Sequence, residues 1–373
     1  MGDSGMASLR DALRATFAAT QVPDGEIRLA WQAMTNCYQI PSTECGNLNA
    51  MKVLDGAHRT NFMAWVDTLV PQSGTPSHRM LRHAGEYLKK PLDVDSAWAS
   101  VPGATLEPVL GCRRSYNLFM TDGGWNRTST GDNNVGNADG TATTLPDGTP
   151  YAQTDPATKI YRDSFTNAAG TFNTTLADLA FHYWSTDLQP TLANRVSPKI
   201  KQTGNVDFTG GSTTRAIPQY WNPRNDPATW QHMSLYTVGF NSAASWTVQP
   251  AFGSDTWTGG DYARLITGDL DWPNPITGSD GNERITELWH MALNSRGKFI
   301  RAPNADALVT AFQDVLNEII SDKSAPVTSL SASSQTTRLA TSAFAAGYDG
   351  KDWSGYVTRY DLATGSAALD PDT

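Results

Sequence analysis

The chain has 373 residues, 39% of them hydrophobic, enough at ~100–200 residues per domain for two or three domains with a substantial core. Its 37 acidic and 28 basic residues leave a net charge of −9, which argues against nucleic-acid binding, and no run nears the ~18 apolar residues of a membrane helix. Only 17% of residues are charged while Gly (31), Pro (21) and Trp (12) abound, a composition that suits a secreted or surface protein.

The opening Met1-Gly2-Asp3-Ser4-Gly5 has neither the basic nor the apolar region of a signal peptide. Leu9, Leu13 and Phe17 share one face of a predicted helix over 9–19, with Ser8 as its N-cap. After a turn at Pro23-Asp24-Gly25, residues 27–34 alternate as a strand. Cys37 and Cys45 bracket a short polar loop. In an oxidising compartment they close a local disulfide; in a reducing one they stay thiols. Cys112 is left odd, either buried and inert or the partner of a cysteine outside this chain. Helices are predicted over 61–70, with Phe62, Trp65 and Leu69 inward, and over 77–88. Residues 114–120 form an apolar strand that ends at Thr121-Asp122-Gly123-Gly124. A succession of helices and strands with a loop at each strand's end is the rhythm of an open α/β sheet.

Residues 123–172 are rich in Gly, Asn, Asp and Thr without hydrophobic period, and read as a long flexible excursion. Within it Asp132, Asn133, Asn134, Asn137 and Asp139 form an oxygen-rich run that lacks EF-hand spacing and reads as solvated loop. A helix follows over 174–186, a loop over 190–227, and a strand in the second half of 230–240. Residues 241–281 are a second, Trp-rich insertion. Helices over 285–292 and 306–320 flank a short strand at 297–301. Past Ser324 the helical period disappears, and strands are predicted over 343–348 and 355–362. That change of character puts a domain boundary at about 321–326.

Asp122 is the sharpest chemical feature. A carboxylate at the carboxyl end of a strand, on a loop loosened by glycine, stands where open α/β sheets bind ligands. Thr75, in the loop before a helix, offers a hydroxyl oxygen, and Mg²⁺ or Ca²⁺ takes such oxygens. The plainer use of both residues is to cap turns and helices. The six histidines are dispersed, with His78 and His83 five apart; His182, His232 and His290 sit in apolar, Trp-containing segments and read as core histidines. No Cys/His spacing suggests zinc, no Gly-x-Ser-x-Gly elbow appears, and Thr258-Gly259-Gly260 lacks the lysine of a phosphate loop. Trp125, Trp221, Trp246, Trp257 and Trp272 read either as exposed contact surface or as ordinary core. Together with Asp269, Asp271 and Asp261 they motivate an alternative, an exported carbohydrate-active enzyme or lectin with Trp platforms.

Ser73-Gly74-Thr75-Pro76 before a helix, then Leu118-Phe119-Met120-Thr121-Asp122-Gly123, resembles the second and third elements of the metal-ion-dependent adhesion site of von Willebrand factor A domains. Cys112-Arg113-Arg114-Ser115-Tyr116 running into Thr121-Asp122-Gly123-Gly124-Trp125-Asn126 resembles the PilY/PilC type of pilus tip protein. So do Leu176-Ala177-Asp178-Leu179-Ala180-Phe181-His182-Tyr183-Trp184, the run from Trp230 to Gly239, and Leu288-Trp289-His290-Met291-Ala292-Leu293-Asn294-Ser295-Arg296-Gly297. Phe344 to Leu362 resembles the start of that family's C-terminal β-propeller.

The resemblance implies an α/β fold, a von Willebrand factor A-like (Rossmann-type) open sheet with helices on both faces. This domain would span 1–323, lack its first strand and carry insertions at about 123–172 and 241–281. The first β-strands of a β-propeller would fill 324–373, making the chain a fragment. The first element of the adhesion site, Asp-x-Ser-x-Ser after a strand, survives only as the remnant Asp3-Ser4-Gly5-Met6-Ala7. That leaves Thr75 and Asp122, with Ser4 on the remnant, as a partial site for a weakly held divalent cation. The implied protein is a non-enzymatic, exported factor of type IV pilus biogenesis and adhesion, at the pilus tip, cell surface or outer membrane. It would have minor pilins as partners and an unidentified host or abiotic surface ligand.

Overall fold

The computed structural model of the chain describes residues 3–34, 37–43, 45–46, 48–71, 74–122, 124–125, 135–152, 154–163, 165, 174–240, 249–275 and 283–323. It also describes the backbone of four strands between 329 and 369. Two compact units divide it, Met1–Ala311 and Phe312–Thr373.

The first unit opens with helix α1 (Asp3–Thr16), which begins five residues before the predicted N-cap, so Ser8 lies inside it. Its buried Leu9 and Ala12 precede Phe17, whose ring meets Phe62 edge-on at 5.0 Å. The strand predicted over 27–34 shrinks to β1 (Arg28–Leu29), antiparallel to β2 (Lys52–Val53). Backbone bonds flank it, from the Leu54 N–H to the Ile27 carbonyl and from the Trp31 N–H to the Asn49 carbonyl, and beyond them a side chain takes over. The buried Asn49 amide donates to the carbonyls of Trp31 and Gln39, and its oxygen accepts from the Ser42 backbone N–H. A disulfide joins Cys37 to Cys45 across this loop, with Cα atoms 5.4 Å apart. Helix α2 (Gly56–Thr68) starts at Asp55, whose carboxylate accepts from the His58 N–H at 2.8 Å.

Helix α3 (Ser77–Leu88) has the predicted bounds. Strand β3 (Ser115–Thr121) follows, and then the stretch expected to be a flexible excursion. Where described, that stretch is built instead. A short hairpin, β4 (Thr143–Thr144) with β5 (Pro150–Tyr151), and a 3₁₀ turn over Pro156–Tyr161 bury Leu145, Tyr151, Ile160 and Tyr161. Its order comes from distant partners. The Tyr161 hydroxyl donates to the Trp221 carbonyl, and Trp272 Nε1 donates to the Ile160 carbonyl.

Helix α4 (Leu176–Ser185) leads to a hairpin, β6 (Val206–Gly210) with β7 (Thr213–Ile217), inside the predicted 190–227 loop. Strand β8 (Met233–Phe240), short helix α5 (Tyr262–Thr267), helix α6 (Glu283–Asn294) and strand β9 (Lys298–Ala302) follow, and helix α7 (Ala305–Lys323) contains the boundary between the units at Ala311. Strands β3, β8 and β9 form one parallel sheet in that order, with Leu118 opposite Tyr236 and Tyr236 opposite Lys298. Every residue of β8 is buried, as the centre of a parallel sheet requires. Helix α6 packs on β8, and α4 packs on α6 and α3. The fold is thus α/β with a parallel sheet, as expected.

In the second unit β10 (Ser329–Ala332), β11 (Ser342–Tyr348), β12 (Gly355–Asp361) and β13 (Ser366–Leu369) form one antiparallel sheet in chain order.

Candidate functional site

Helix α6, buried from Arg284 to Asn294, carries Glu287, His290 and Asn294 at spacings of three and four, so one of its faces presents three polar side chains. Helix α4 adds Asp178 from its first turn through a capping box. The Asp178 N–H donates to Thr175 Oγ1 at 3.0 Å, and the Asp178 carboxylate accepts from the Thr175 N–H at 2.8 Å. The 123–172 stretch supplies Asp139 and Asp163. Asp139, Asp178, Glu287 and His290 are at most 3% exposed and Asp163 8%. Five titratable groups therefore meet out of water.

The carboxylates are oriented by backbone donors. Asp139 accepts from the Asp163 N–H and from Asn294 Nδ2, at 3.1 and 2.8 Å, and its own N–H donates to Asp178 at 3.1 Å. Glu287 Oε1 accepts from the Ala177 N–H at 2.8 Å. Asp163 accepts from Thr175 Oγ1 at 3.2 Å. His290 stacks on Trp272 with ring centres 4.4 Å apart. Among the described residues no Lys or Arg comes within ion-pair distance of the four carboxylates; the base among them is the His290 ring, whose Nε2 lies 3.7 Å from Asp139 and whose Nδ1 lies 3.9 Å from Asp163 and from Glu287. Burial, reinforced by the neighbouring carboxylates, pushes Asp139 far above the ordinary range and Asp163 up to about 8. Burial likewise pushes Asp178 up to about 7, against the donors at Thr175 and Asp139. Such a cluster holds either protons or a cation. Asp139, Asp163 and His290 each offer a ligand atom within 4.8 Å of the others.

The sequence reading does not anticipate this constellation. Asp139, in a run that reads as solvated loop, is fully buried; Asp132, Asn133 and Asn134 lie outside the described residues. His290 is the core histidine its apolar segment implies, but a core histidine among carboxylates. The signal that could have found it is Glu287-x-x-His290-x-x-x-Asn294, a polar stripe along one face of a helix that also carries Ile285, Leu288, Trp289, Met291, Ala292 and Leu293.

The residues singled out from the sequence sit elsewhere. Asp122 follows β3 directly at its carboxyl end and is half-buried. Thr75 is half-buried in the segment entering α3, where its carbonyl accepts from the Ser77 N–H. Ser4 lies in the first turn of α1, not in a loop after a strand, and Ser73 and Gly123 fall outside the described residues. Cys112 is half-buried and free, with its thiol pushed up by burial.

The acidic groups behind the carbohydrate reading each serve a local donor. Asp261 accepts from the Ala251 N–H and Arg264, Asp269 from Thr213 and Thr267, and Asp271 pairs with Lys159. Trp125, Trp221 and Trp272 are core rather than platforms, Trp257 is half-buried, and Trp246 lies outside the described residues.

The chain is 40% identical over 362 residues to the type IV pilus biogenesis factor PilY1 of Pseudomonas aeruginosa strain PAO1, covering 94% of this chain. It is 38% identical to PilY1 of strain PAK and 34% identical to that of strain UCBPP-PA14, again over 94% of the chain. The resemblance to PilY/PilC-type proteins drawn from the motifs therefore holds along nearly the whole sequence. The chain spans 28–29% of the length of these relatives. No known family's sequence profile matches it, and no solved structure does.

Proposed function

We propose that the chain serves type IV pilus biogenesis as a non-enzymatic adhesion and assembly module, exported and carried at the pilus tip, with minor pilins as partners. The observation that carries this reading is 40% identity to PilY1 over 94% of the chain. The parallel β3-β8-β9 sheet, with Asp122 at the carboxyl end of β3, suits a von Willebrand factor A-like domain over 1–323. In that reading Thr75 and Asp122 are the surviving oxygen ligands of an adhesion-site cation, Mg²⁺ or Ca²⁺, and Ser4 marks a displaced remnant. The antiparallel β10–β13 sheet suits one blade of a β-propeller, whose blades are four-stranded.

The test is a chimera in a P. aeruginosa strain lacking PilY1, with the matched segment of PilY1 replaced by this chain. Surface pili and twitching motility are expected to return. A chimera that is exported and stable yet leaves the cells bald would sink the proposal. At the loop site, calorimetric titration of Mg²⁺ and Ca²⁺ into the chain and into Asp122→Ala should show weak heat that the substitution removes. Equal heats from both proteins would rule the site out.

A further inference from the structure

The tautomer of His290 is fixed by its surroundings. Its Nε2 lies 3.1 Å from the Tyr161 carbonyl oxygen, which can only accept, so Nε2 carries the hydrogen. The neutral ring then turns a bare lone pair outward at Nδ1, and Nδ1 has no hydrogen-bond partner although the residue is fully buried. It faces Asp163 Oδ2 and Glu287 Oε2, each at 3.9 Å. That separation is too long for a hydrogen bond and right for two ligands that share a cation at ~2.0–2.3 Å from each. A metal-bound histidine ordinarily donates its other ring N–H to a carbonyl or carboxylate, as Nε2 does here to Tyr161.

The remaining atoms agree. The second oxygen of Glu287 is held by the Ala177 N–H and that of Asp163 by the Phe165 N–H, so one oxygen of each stays turned toward the ring. Asn294 spends its amide donors on Asp139 and on the Ala177 carbonyl, which leaves its Oδ1, fully buried, without a partner. Two orphaned acceptors among four carboxylates lack what only a cation or several protons can supply.

We propose that Asp163, Glu287 and His290, through Nδ1, hold a structural divalent ion that fastens the segment carrying Asp163 to α6, with Asp139 beside the ring at Nε2. One imidazole nitrogen with carboxylate oxygens favours a first-row transition ion, Mn²⁺ or Zn²⁺, over all-oxygen Ca²⁺ or Mg²⁺. The ion is buried and supplies rigidity rather than catalysis. It is distinct from any cation at Asp122.

The experiment uses the full chain, purified without chelator or metal-affinity resin, and Asp122→Ala alongside it. Elemental mass spectrometry is expected to find about one equivalent of Mn²⁺ or Zn²⁺ in both. Stripping with a chelator should lower the unfolding temperature, and Mn²⁺ or Zn²⁺, but not Ca²⁺ or Mg²⁺, should restore it. Glu287→Gln keeps the oxygen that accepts from the Ala177 N–H, so it should fold and bind Mn²⁺ more weakly, by at least the ~10–100-fold that loss of an outer-shell partner costs. Should His290→Gln fail to fold, Glu287→Gln and the Mn²⁺ spin-resonance signal of the unsubstituted chain still decide. No retained ion together with no thermal response to Mn²⁺ or Zn²⁺ would overturn the proposal. So would a response to Ca²⁺ or Mg²⁺ alone, or unchanged Mn²⁺ affinity in Glu287→Gln.

Discussion

Asp226 and His232 show how single residues set the acid limit of this chain. Both ring nitrogens of His232 face oxygens, the Trp230 carbonyl at 2.7 Å and Asp226 Oδ2 at 2.9 Å, so the buried ring is held against a buried carboxylate. Asp226 also accepts from Trp184 Nε1 at 3.1 Å and from the Ala228 N–H. Burial alone would raise its pKa, but the His232 charge and these donors outweigh it and hold the carboxyl at about 2. A depressed carboxyl stabilises the fold above its unfolded pKa of ~3.9, and that contribution is lost as pH falls through the folded value. A depression of this size corresponds to roughly 2–3 kcal/mol. Asp226→Ala leaves the buried His232 ring and Trp184 Nε1 without their shared partner and should cost about 3–5 kcal/mol at neutral pH. Asp226→Asn keeps an acceptor and should cost less. Urea titrations at pH 7, 4 and 2.5 check this: the loss of stability between pH 4 and 2.5 should shrink in Asp226→Asn. An identical loss in both proteins would place the acid sensitivity elsewhere.

At the scale of elements, the junction between α6 and β9 depends on two residues. Arg296 takes the left-handed conformation, φ 60°, at a helix end where glycine is usual. The Gly297 N–H then closes the helix on the Ala292 carbonyl at 2.8 Å. Stacking of the Arg296 guanidinium over Tyr161 at 3.8 Å and Trp184 at 4.3 Å offsets the backbone cost. A Cβ on Gly297 would fall 1.7 Å from the Leu235 carbonyl oxygen of β8, and backbone cannot yield as a side chain can. Gly297→Ala should therefore destabilise by about 3 kcal/mol, read as a lower urea midpoint; a change under ~0.5 kcal/mol would show that β8 and β9 can part here.

The same elements mark what the sequence discloses. Helix α3 is legible to its ends because its apolar face repeats at helical spacing, and β3 because an apolar run stops at Asp122. The strand at 27–34 is shorter than its pattern because alternation cannot reveal that the Asn49 side chain takes the Trp31 carbonyl and that Ala33 turns back to bond the Cys37 carbonyl. The described part of the 123–172 stretch is more ordered than its composition suggests because its order comes from Trp221 and Trp272, 60 and 112 residues from Tyr161 and Ile160. Its polar character points to solvent for the same reason that hides the buried cluster. Asp139 in an Asn/Asp-rich run gives no local sign that the donors of Asp163 and Asn294 will enclose it.

For the whole molecule, two units raise the question of how many cooperative transitions the chain has. In the first unit the sheet joins distant segments, β3 to β8 to β9, around a core that draws on α3, α4 and α6. Such a unit gains its stability only when complete, and it should melt as one. In the second, β10 to β13 pair only with sequence neighbours, so every strand contact is a local hairpin. A sheet of about forty residues buries too little to be more than marginal by itself. A chain ended at Lys323 keeps α7 whole and removes only that sheet. Its main calorimetric transition should stay within about 3 °C of the full chain's, since ~1 kcal/mol moves a domain of this size by about that much or less. Any weak transition at lower temperature should vanish with residues 324–373. A fall of more than ~10 °C, or a truncated chain without a cooperative transition, would mean that the meander is integral to the first unit's stability.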